Sequence, residues 1–340
     1  MKAFVLVKHG APDIAFELQE MPDLQPGAGQ VVVEVEAFGL NYADVMARLG
    51  KYKEAPALPS VIGYEAIGRI SALAEDVKGL EKGQRVACFV RFGGYATQVL
   101  TPAMGVVPVS DEMDAGIALA LTVQYCTAWY ASEICMQLQS GDHVLVQAAA
   151  GGVGIALVQM AKRKGCIVYG TAGSDEKLQL LREQGVDYPI NYNKVDWAVE
   201  VNRIRGGKGL DVVFDSLGGS EFRRGYKSLS PGGRIAGFGN ASRTKGWANV
   251  AGDLKTLFGF GFFSPAFLLM QSRSIVGVNM LRVADHRPDI LKTCLENTFE
   301  LAEAGVFKPV IGARFPHEEM GKAHVLLESR KSTGKIVVNW

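Results

Sequence analysis

The length, composition and charge of this chain exclude several classes of protein. Its 340 residues exceed what one hydrophobic core usually supports, so we expect two domains. The 36 basic residues nearly balance the 35 acidic residues, and no run of like charge is present. This balance argues against a nucleic-acid surface or a polybasic membrane surface, and it favours a small molecule as the partner.

Cysteine count and hydropathy narrow the class further. The five cysteines are too few and too scattered for a disulfide framework or a CxxC metal pair. The apolar residues 1–7 are followed too soon by Lys8 and His9 for the core of a signal peptide, so they predict a first strand. The longest apolar run, residues 258–270, is shorter than the roughly 20 residues of a membrane span. We expect no transmembrane segment and a cytoplasmic location.

Residues 1–120 have the pattern of short strands separated by turns. The clearest case is the Pro-Gly-Ala-Gly turn of residues 26–29, which leads into the β-branched run 31–36. Glycine and proline recur every few residues over the following stretch. Such spacing predicts a β-rich, barrel-like domain.

From about residue 121, strand patterns alternate with helix patterns. The predicted strands cover 143–147, 166–170, 211–215 and 234–238, and the predicted helices cover 152–164 and 175–184. Strands that alternate with helices of this length predict an α/β fold with a doubly wound parallel sheet.

The last part of the chain returns to a different pattern. It predicts helices over 290–304 and 320–329 and a final strand over 335–340, which we expect to pair with N-terminal strands. The predicted organisation is one β-rich domain made of residues 1–120 and 283–340. A second domain, residues 121–282, is inserted in it and carries a long apolar segment over 240–274.

A glycine-rich turn lies between the first predicted strand and helix of the inserted domain. Its sequence is Ala148-Ala149-Ala150-Gly151-Gly152-Val153-Gly154. Gly151 would let the backbone approach a pyrophosphate, and Gly154 would let the helix pack against the strand. Gly152 and Val153 would add N–H donors at the helix N-terminus. Ala149 replaces the first glycine of the GxGxxG pattern, which is tolerated if its φ is negative. The strand before and the helix after this turn predict a dinucleotide site.

The second strand of the inserted domain indicates which dinucleotide is bound. An NAD site usually has an acidic residue at this strand tip, but residues 170–174 contain none. Asp175 comes later, where it would open the next helix behind Ser174 as the N-cap. Lys177 would face a 2′-phosphate, and Tyr192 would add its hydroxyl. A solvated helix lysine is the alternative for Lys177. NADPH is predicted in preference to NADH.

Motifs along nearly the whole chain resemble one family. They are Gly39-Leu40-Asn41-Tyr42-Ala43-Asp44, Pro59-Ser60-Val61-Ile62-Gly63-Tyr64-Glu65, Gly93-Gly94-Tyr95-Ala96, Asp215-Ser216-Leu217-Gly218-Gly219 and Gly334-Lys335-Ile336-Val337. With the glycine-rich turn, they resemble the zinc-free quinone oxidoreductase branch of the medium-chain dehydrogenase/reductase superfamily. The segment 240–274 is similar to the vesicle-amine-transport-protein-like members. The resemblance implies a Rossmann-type domain inserted in a GroES-like substrate domain.

The resemblance also implies site residues. Asn41, Tyr52 and Thr127 would lie around the nicotinamide, and these three with Tyr64 are the catalytic candidates. Gly151, Gly152, Val153 and Gly154 would hold the pyrophosphate, and Gly173, Lys177 and Tyr192 would hold the 2′-phosphate. The other implied cofactor contacts are Ser216, Phe238, Gly239, Asn240 and Lys335. A structural role is the alternative for each of them, such as a packed aromatic ring for Tyr64.

Zinc-using relatives imply metal ligands that this chain lacks. They carry Cys where this chain has Asn41, and His where it has Tyr64. They also carry a four-cysteine lobe that is absent here. Catalytic zinc needs about three protein ligands and an open position, and no histidine pairs with a cysteine at ligand spacing. We therefore expect no metal.

These expectations describe a reductase that orients NADPH toward an electron-poor carbon of a quinone or of an α,β-unsaturated carbonyl compound. The cofactor carries the chemistry, and Asn41 with Tyr52 or Tyr64 would donate hydrogen bonds. The alternative is a membrane- or partner-associated nucleotide-binding protein with little turnover, in contact through residues 257–270. We also expect a homodimer. The segment 240–274 is predicted to form a partly helical lid over the substrate site, with a subunit contact as the alternative.

Overall fold

The contacts within the chain define two compact units. The structure, a computed structural model, describes residues 1–241 and 258–340. Residues Met1–Cys126 and Met280–Trp340 form one unit, here called the discontinuous unit, and Thr127–Asn279 form the inserted unit. The chain therefore leaves the first unit once and returns to it.

The regular elements are numbered in chain order. The strands are β1 (Lys2–Leu6), β2 (Phe16–Glu20), β3 (Gln30–Leu40), β4 (Ser60–Val61), β5 (Glu65–Leu73), β6 (Arg85–Phe89), β7 (Gln98–Pro102), β8 (Val106–Pro108), β9 (His143–Val146), β10 (Ile167–Ala172), β11 (Tyr188–Asn191), β12 (Leu210–Asp215), β13 (Leu229–Gly237), β14 (Ser274–Gly277), β15 (Ile311–Pro316) and β16 (Lys335–Asn339). The helices are α1 (Pro12–Ala15), α2 (Tyr42–Arg48), α3 (Ala115–Ala120), α4 (Cys126–Trp129), α5 (Gly152–Arg163), α6 (Asp175–Glu183), α7 (Trp197–Arg205), α8 (Gly219–Lys227), α9 (Pro265–Gln271), α10 (Met280–His286), α11 (Pro288–Glu303) and α12 (Met320–Glu328). Short 3-10 turns cover Ala103–Gly105 and His317–Glu319, and π-helical stretches cover Leu121–Tyr125 and Tyr130–Met136.

The discontinuous unit is built around the long strand β3. In a seven-stranded sheet the order is β15-β16-β3-β5-β6-β8, and β7 also pairs with β3. A smaller sheet has the order β2-β1-β4. The last strand, β16, pairs antiparallel with β3, with Ile336 opposite Leu40 and Asn339 opposite Ala37. This register confirms the predicted pairing of the final strand with the N-terminal part of the chain.

The inserted unit is a parallel six-stranded sheet with helices in the connections. The strand order is β11-β10-β9-β12-β13-β14, so the chain reverses its direction across the sheet on either side of β9. Apolar side chains of the central strands, such as Leu145, Val213 and Ile235, are fully buried against Phe222 and Tyr226 of α8. This arrangement confirms the predicted doubly wound parallel sheet.

The apolar segment 240–274 is partly described. Three of its apolar residues, Trp247, Leu254 and Leu257, lie outside the described residues. In the described part, the ring of Phe260 packs against Phe222, and the ring of Phe263 packs edge-to-face against Tyr226, with centroids 5.4 and 4.7 Å apart. These two rings therefore belong to the core of the inserted unit.

Other apolar side chains of the same segment remain exposed. They are Phe258, Phe262, Phe267, Leu269 and Met270, here called the apolar surface, and Phe262 and Leu269 are 90% and 82% exposed. Helix α9 begins at Pro265 behind Ser264, whose hydroxyl caps the N–H of Phe267. Among the described residues, no helix combines the length and apolar character that crossing a bilayer requires.

Candidate cofactor and active site

The glycine-rich turn connects β9 to α5 as predicted. The φ of Ala148 is +50°, whereas Ala149 has no positive φ, which is the condition under which alanine replaces the first glycine. The N–H of Ala149 donates to the Thr171 carbonyl, 2.9 Å away, and this bond fixes the turn to β10. The first N–H groups of α5 have no acceptor within the helix, so they are available to an anion.

Two glycines of this turn differ in what surrounds them. A methyl group at position 154 would lie 2.5 Å from the Ala148 carbonyl oxygen and 2.7 Å from the Ala149 Cα. Gly154 is therefore required by the packing of α5 against the turn. A methyl group at position 151 would meet only the Ala148 oxygen at 3.3 Å, and the φ of Gly151 is −78°. Gly151 is therefore less crowded by the protein than Gly154, which suits a ligand that approaches the backbone closely.

The carboxyl end of β10 carries the residues predicted for a 2′-phosphate. A methyl group at position 173 would lie 2.5 Å from the hydroxyl oxygen of Tyr192, so the Tyr192 side chain lies directly over Gly173. Lys177 is in the first turn of α6, and its N–H donates to the Ser174 hydroxyl. Burial lowers the pKa of the Lys177 ammonium. The structure therefore brings Gly173, Lys177 and Tyr192 to the ends of two adjacent strands.

The acidic residue nearest to this strand tip is already engaged. Asp175 accepts hydrogen bonds from Asn191 Nδ2 at 3.0 Å and from Lys194 Nζ at 2.5 Å. The bond from Lys194 is the main cause that lowers the pKa of Asp175. Lys194 and Asn193, whose amide donates to the Gly173 carbonyl, are residues that the sequence analysis missed. Their signal was the polar run that follows β11.

The loops after β12 and β13 meet at the same edge of the sheet. The Ala241 N–H donates to the Ser216 carbonyl, 3.1 Å away, and a methyl group at position 239 would lie 2.7 Å from that oxygen. The Phe238 N–H donates to the Asp215 carbonyl. Asn240 lies beside Gly218, because a methyl group at position 218 would be 2.6 Å from the Asn240 Oδ1. Because the strands are parallel, these residues share one edge with the glycine-rich turn, the usual ligand edge of such a sheet.

In the discontinuous unit, Tyr52 and Tyr64 form an aromatic pair. Their rings are edge-to-face with centroids 6.2 Å apart, and Tyr64 also packs against Phe92 at 5.3 Å. Burial raises the pKa of Tyr52 to about 12 and that of Tyr64 well above 10. Both hydroxyls are protonated at neutral pH and can donate a hydrogen bond. Tyr64 is buried in this packing, and Tyr52 is partly exposed.

Asn41 is the N-cap of α2, and its side chain lies among charged groups. Its backbone N–H donates to Asp44 Oδ2 at 2.7 Å. Its amide nitrogen donates to Glu65 Oε1 at 2.8 Å, and its amide oxygen accepts from Lys335 Nζ at 3.2 Å. Lys335 also forms an ion pair with Glu65, and both side chains are fully buried. The role of Lys335 as a cofactor contact stays a prediction.

The last predicted residue is Thr127, and the last predicted feature is the lack of a metal site. Thr127 is buried in α4 at the start of the inserted unit, and its predicted place at the nicotinamide stays a prediction. Within residues 1–241 and 258–340, no group of three or more His, Cys, Asp or Glu side chains is close enough to hold a metal ion.

Comparison with known proteins identifies the family. The alcohol dehydrogenase GroES-like domain model matches residues 27–111, and the zinc-binding dehydrogenase model matches residues 152–296. The synaptic vesicle membrane protein VAT-1 homolog of Homo sapiens is 33% identical over 342 residues, which cover 99% of this chain and 86% of the relative. The chain belongs to the medium-chain dehydrogenase/reductase superfamily.

Two other members of this superfamily relate the chain to reductases. The 2-haloacrylate reductase of Burkholderia sp is 32% identical, with 99% of this chain and 98% of the relative covered. The crystal structure of Escherichia coli quinone oxidoreductase complexed with NADPH has a TM-score of 0.87 and 26% identity, and it covers 100% of both chains. The fold is therefore that of a Rossmann-type sheet and a GroES-like domain, as the sequence motifs imply.

Proposed function

We propose that the protein is an NADPH-dependent, zinc-independent reductase that transfers a hydride to a quinone or to an α,β-unsaturated carbonyl compound. The observation that carries the cofactor choice is the tip of β10. There Asp175 is engaged by Lys194 and Asn191, the Tyr192 side chain lies over Gly173, and Lys177 follows in the first turn of α6. The similar E. coli enzyme, crystallised with NADPH, and the similar 2-haloacrylate reductase support the reaction class.

The residues of the inserted unit fit this cofactor. The backbone at Gly151, which carries no side chain, and the N–H groups of Gly152 and Val153 would bind the pyrophosphate. Lys177 and Tyr192 would bind the 2′-phosphate, to which a charge-assisted contact contributes more than a neutral one. The loops that carry Ser216 and Asn240 would line the remaining part of the same edge.

When bound, NADPH supplies the hydride, and the protein supplies position and hydrogen bonds. The Tyr52 hydroxyl and the Asn41 amide are proton-bearing donors that would stabilise a substrate oxygen as it gains negative charge. The pKa of Tyr52, which burial raises to about 12, lies far above neutral pH, so the hydroxyl keeps its proton when it donates. Solvent would provide the proton that completes the reduced product.

The test is NADPH oxidation with 1,4-benzoquinone and with 2-cyclohexenone, each compared with NADH as the donor. We expect turnover with at least one acceptor, and at least a tenfold preference for NADPH. Exhaustive chelation should leave the rate unchanged, and metal analysis should find no stoichiometric zinc. Turnover that is lost together with one zinc per chain would overturn the zinc-independent mechanism.

A second candidate function rests on the apolar surface. Five large apolar side chains are exposed close together in sequence, and a similar protein is called a synaptic vesicle membrane protein. These observations favour a membrane- or partner-associated nucleotide-binding protein with little turnover. Tight NADPH binding without turnover of any quinone or enone would support this candidate over the reductase.

We also propose that the protein is a homodimer. In the described part of the sheet, β14 has a strand neighbour on one side only, β13, so its outer edge is open to pairing. The apolar surface directly precedes β14 in the chain. A second copy that pairs with this edge would cover exposed apolar area that a monomer would leave in water.

A further inference from the structure

A fully buried ion pair lies where β16 and β5 flank the end of β3. Glu65 is the first residue of β5, and Lys335 is the first residue of β16. Their side chains meet beside Gly39, where a methyl group would overlap both the Glu65 carboxylate and the Lys335 side chain. Glycine at position 39 is therefore what lets the pair reach across β3.

Stability alone is a weak explanation for this pair. Removing two charges from water costs several kcal/mol per ion, and apolar replacements of buried pairs are often neutral or stabilising. Burial lowers the pKa of the Lys335 ammonium to about 7, so the site favours its neutral form more than water does. Because burying this pair costs desolvation free energy, we look for a role of the pair other than packing.

The pair contacts both ends of the Asn41 amide. Lys335 has only donors, so it must face the amide oxygen, and the Glu65 carboxylate has only acceptors, so it must face the amide nitrogen. A flipped amide would set its oxygen against the carboxylate and its NH₂ against the ammonium. The two charges therefore permit one orientation of the amide.

We propose that Glu65 and Lys335 are positioning residues that fix the Asn41 amide, so that its second N–H is presented to an oxygen atom of the bound ligand. The proposal rests on the proposed function for the nature of that ligand. The oxygen belongs either to the carbonyl group of the substrate or to the carboxamide of the cofactor, and both offer the same acceptor. The ammonium on the amide oxygen also polarises the amide, which strengthens its N–H as a donor.

The test replaces both charges by side chains of similar size. The double variant Glu65→Gln/Lys335→Met removes both charges of the pair together and keeps the buried Asp44 carboxyl, whose pKa burial raises to about 7, so we expect it to fold with a Tm close to that of the wild type. The Gln side chain can offer either its oxygen or its NH₂ to Asn41, so residue 65 no longer sets the orientation of the amide, and the capping box with Asp44 still contacts it. We expect kcat to fall at least tenfold while the KM for the acceptor stays within twofold.

A second arm asks whether the pair acts through Asn41. In the Asn41→Ala background, the same double substitution should change kcat by less than twofold, because the group that the pair positions is gone. Another tenfold loss in that background, or a folded double variant with wild-type kcat, would overturn the proposal. Should the double variant not fold, Glu65→Gln alone replaces it. It leaves Lys335 without its carboxylate partner, and an unchanged kcat would then overturn the proposal.

The control makes the same two substitutions on an exposed pair. Lys322 Nζ lies 2.6 Å from Glu319 Oε1 at the surface of the discontinuous unit, and Glu319→Gln/Lys322→Met should leave kcat within twofold of the wild type. A tenfold loss in this control would mean that the kcat assay reports general destabilisation, and the positioning claim would fall.

The NADPH dissociation constant, measured by binding alone, separates this proposal from the proposed function. Without turnover by the wild type the proposed function fails. The positioning claim then requires that Asn41→Ala and Glu65→Gln/Lys335→Met weaken NADPH binding by the same factor, and that combining them weakens it no further. Unchanged NADPH binding in both variants overturns the claim. If the wild type does turn over, weaker NADPH binding by the double variant assigns the oxygen to the carboxamide of the cofactor. Unchanged NADPH binding with a reduced kcat assigns the oxygen to the substrate.

Discussion

Gly151 and Gly154 lie three residues apart in one turn, yet the structure gives them different tasks. The space at position 154 is filled by the backbone of the turn itself, whereas a methyl group at position 151 would have one contact, at 3.3 Å from the Ala148 oxygen. Neither residue needs a left-handed conformation, since neither has a positive φ. The two glycines can therefore be separated experimentally into one that serves the fold and one that serves a ligand.

We expect Gly154→Ala to destabilise the protein, because its methyl group would press on the Ala148 carbonyl. Overpacking of this kind costs about 1–3 kcal/mol, or roughly 3–10 °C in Tm. Gly151→Ala should leave Tm within about 2 °C but weaken NADPH binding at least tenfold, about 1.4 kcal/mol. Thermal melts and a binding titration measure both. Equal effects of the two substitutions on Tm would contradict the distinction.

Lys177 provides the corresponding prediction for cofactor choice. The Lys177→Glu variant would put a carboxylate where the 2′-phosphate of NADPH is expected, beside Tyr192 and Gly173. Because a charge-assisted contact contributes about 1.5–3 kcal/mol, the affinity for NADPH should fall tenfold or more relative to that for NADH. Lys208→Glu, an exposed lysine of the inserted unit, is the control for charge alone. A wild type with equal affinity for both cofactors would reject the assignment.

At the residue scale, the sequence indicates which residues are site candidates but not which side chains they contact. It singles out Asn41 and Lys335 as site candidates through motifs, and it places Glu65 in one of those motifs. It cannot show that Glu65 and Lys335, 270 residues apart, form a buried pair. A lysine in a strand pattern predicts a solvent- or ligand-facing side chain, since lysines are almost never fully buried unless paired. The pairing depends on register across β3, which no local pattern encodes.

At the element scale, the connection from β12 to α8 depends on one buried carboxylate. Asp215 ends β12 and accepts a hydrogen bond from the Gly218 N–H at 2.6 Å, where the backbone turns with a φ of 72° into α8. Asp215 is fully buried, and burial raises its pKa to about 7. The turn therefore uses an acceptor whose charge the surroundings disfavour.

This raised pKa predicts a pH dependence of stability. The folded state holds the proton of Asp215 more tightly than the unfolded chain, so stability falls as pH rises from about 4 to 7. The amide in Asp215→Asn still accepts from Gly218 but does not titrate. We expect the variant to gain at least about 1 kcal/mol over the wild type between pH 5 and pH 8, since one pKa unit equals about 1.4 kcal/mol.

Urea denaturation at a series of pH values measures this difference. Asp13→Asn, the same substitution at an exposed position of the discontinuous unit, is the control and should differ from the wild type by the same free energy of unfolding at every pH. Parallel curves for the wild type and Asp215→Asn would show that the buried carboxylate does not titrate in this range.

The elements themselves follow closely from hydrophobic periodicity and turn residues. Helix α6 begins after the predicted Ser174 cap and ends one residue before the predicted end, and β16 ends one residue early. Strand β13 begins at Leu229, five residues before the prediction, because Leu229 pairs with Leu210 ahead of an irregularity in β12. The π-helical stretches around α4 were not predicted, since an extra residue per turn follows from tertiary packing rather than from local propensity.

At the scale of the whole molecule, the insertion of one unit in the other follows from a change in pattern. The return of the last strand to β3 closes the discontinuous unit. What the sequence could not resolve is the segment 240–274, whose apolar residues have two fates. Phe260 and Phe263 fill the core beside α8, while the apolar surface points to solvent in the single chain. The amino-acid composition of the segment does not distinguish the buried rings from the exposed apolar side chains.

The apolar surface carries the last prediction, which concerns assembly. The wild type should have a solution mass near twice the 36.6 kDa of one chain. Phe262→Ser/Leu269→Ser removes two of the most exposed apolar side chains without touching Phe260 or Phe263, so the fold should persist while the dimer dissociates. Light scattering at several concentrations measures the change. Val199→Ser/Val325→Ser, which alters exposed apolar residues elsewhere, is the control and should remain dimeric.

The same variant separates a subunit contact from a lid over the substrate site. If the apolar surface pairs with a second copy, the weakened dimer should keep its relative kcat/KM for small and large quinones, because the site residues are unchanged. A variant that stays dimeric but loses discrimination between acceptor sizes would instead place these side chains at the substrate. A wild type that is monomeric at every concentration would reject the subunit contact, because the exposed edge of β14 and the apolar surface would then have no second copy to cover them.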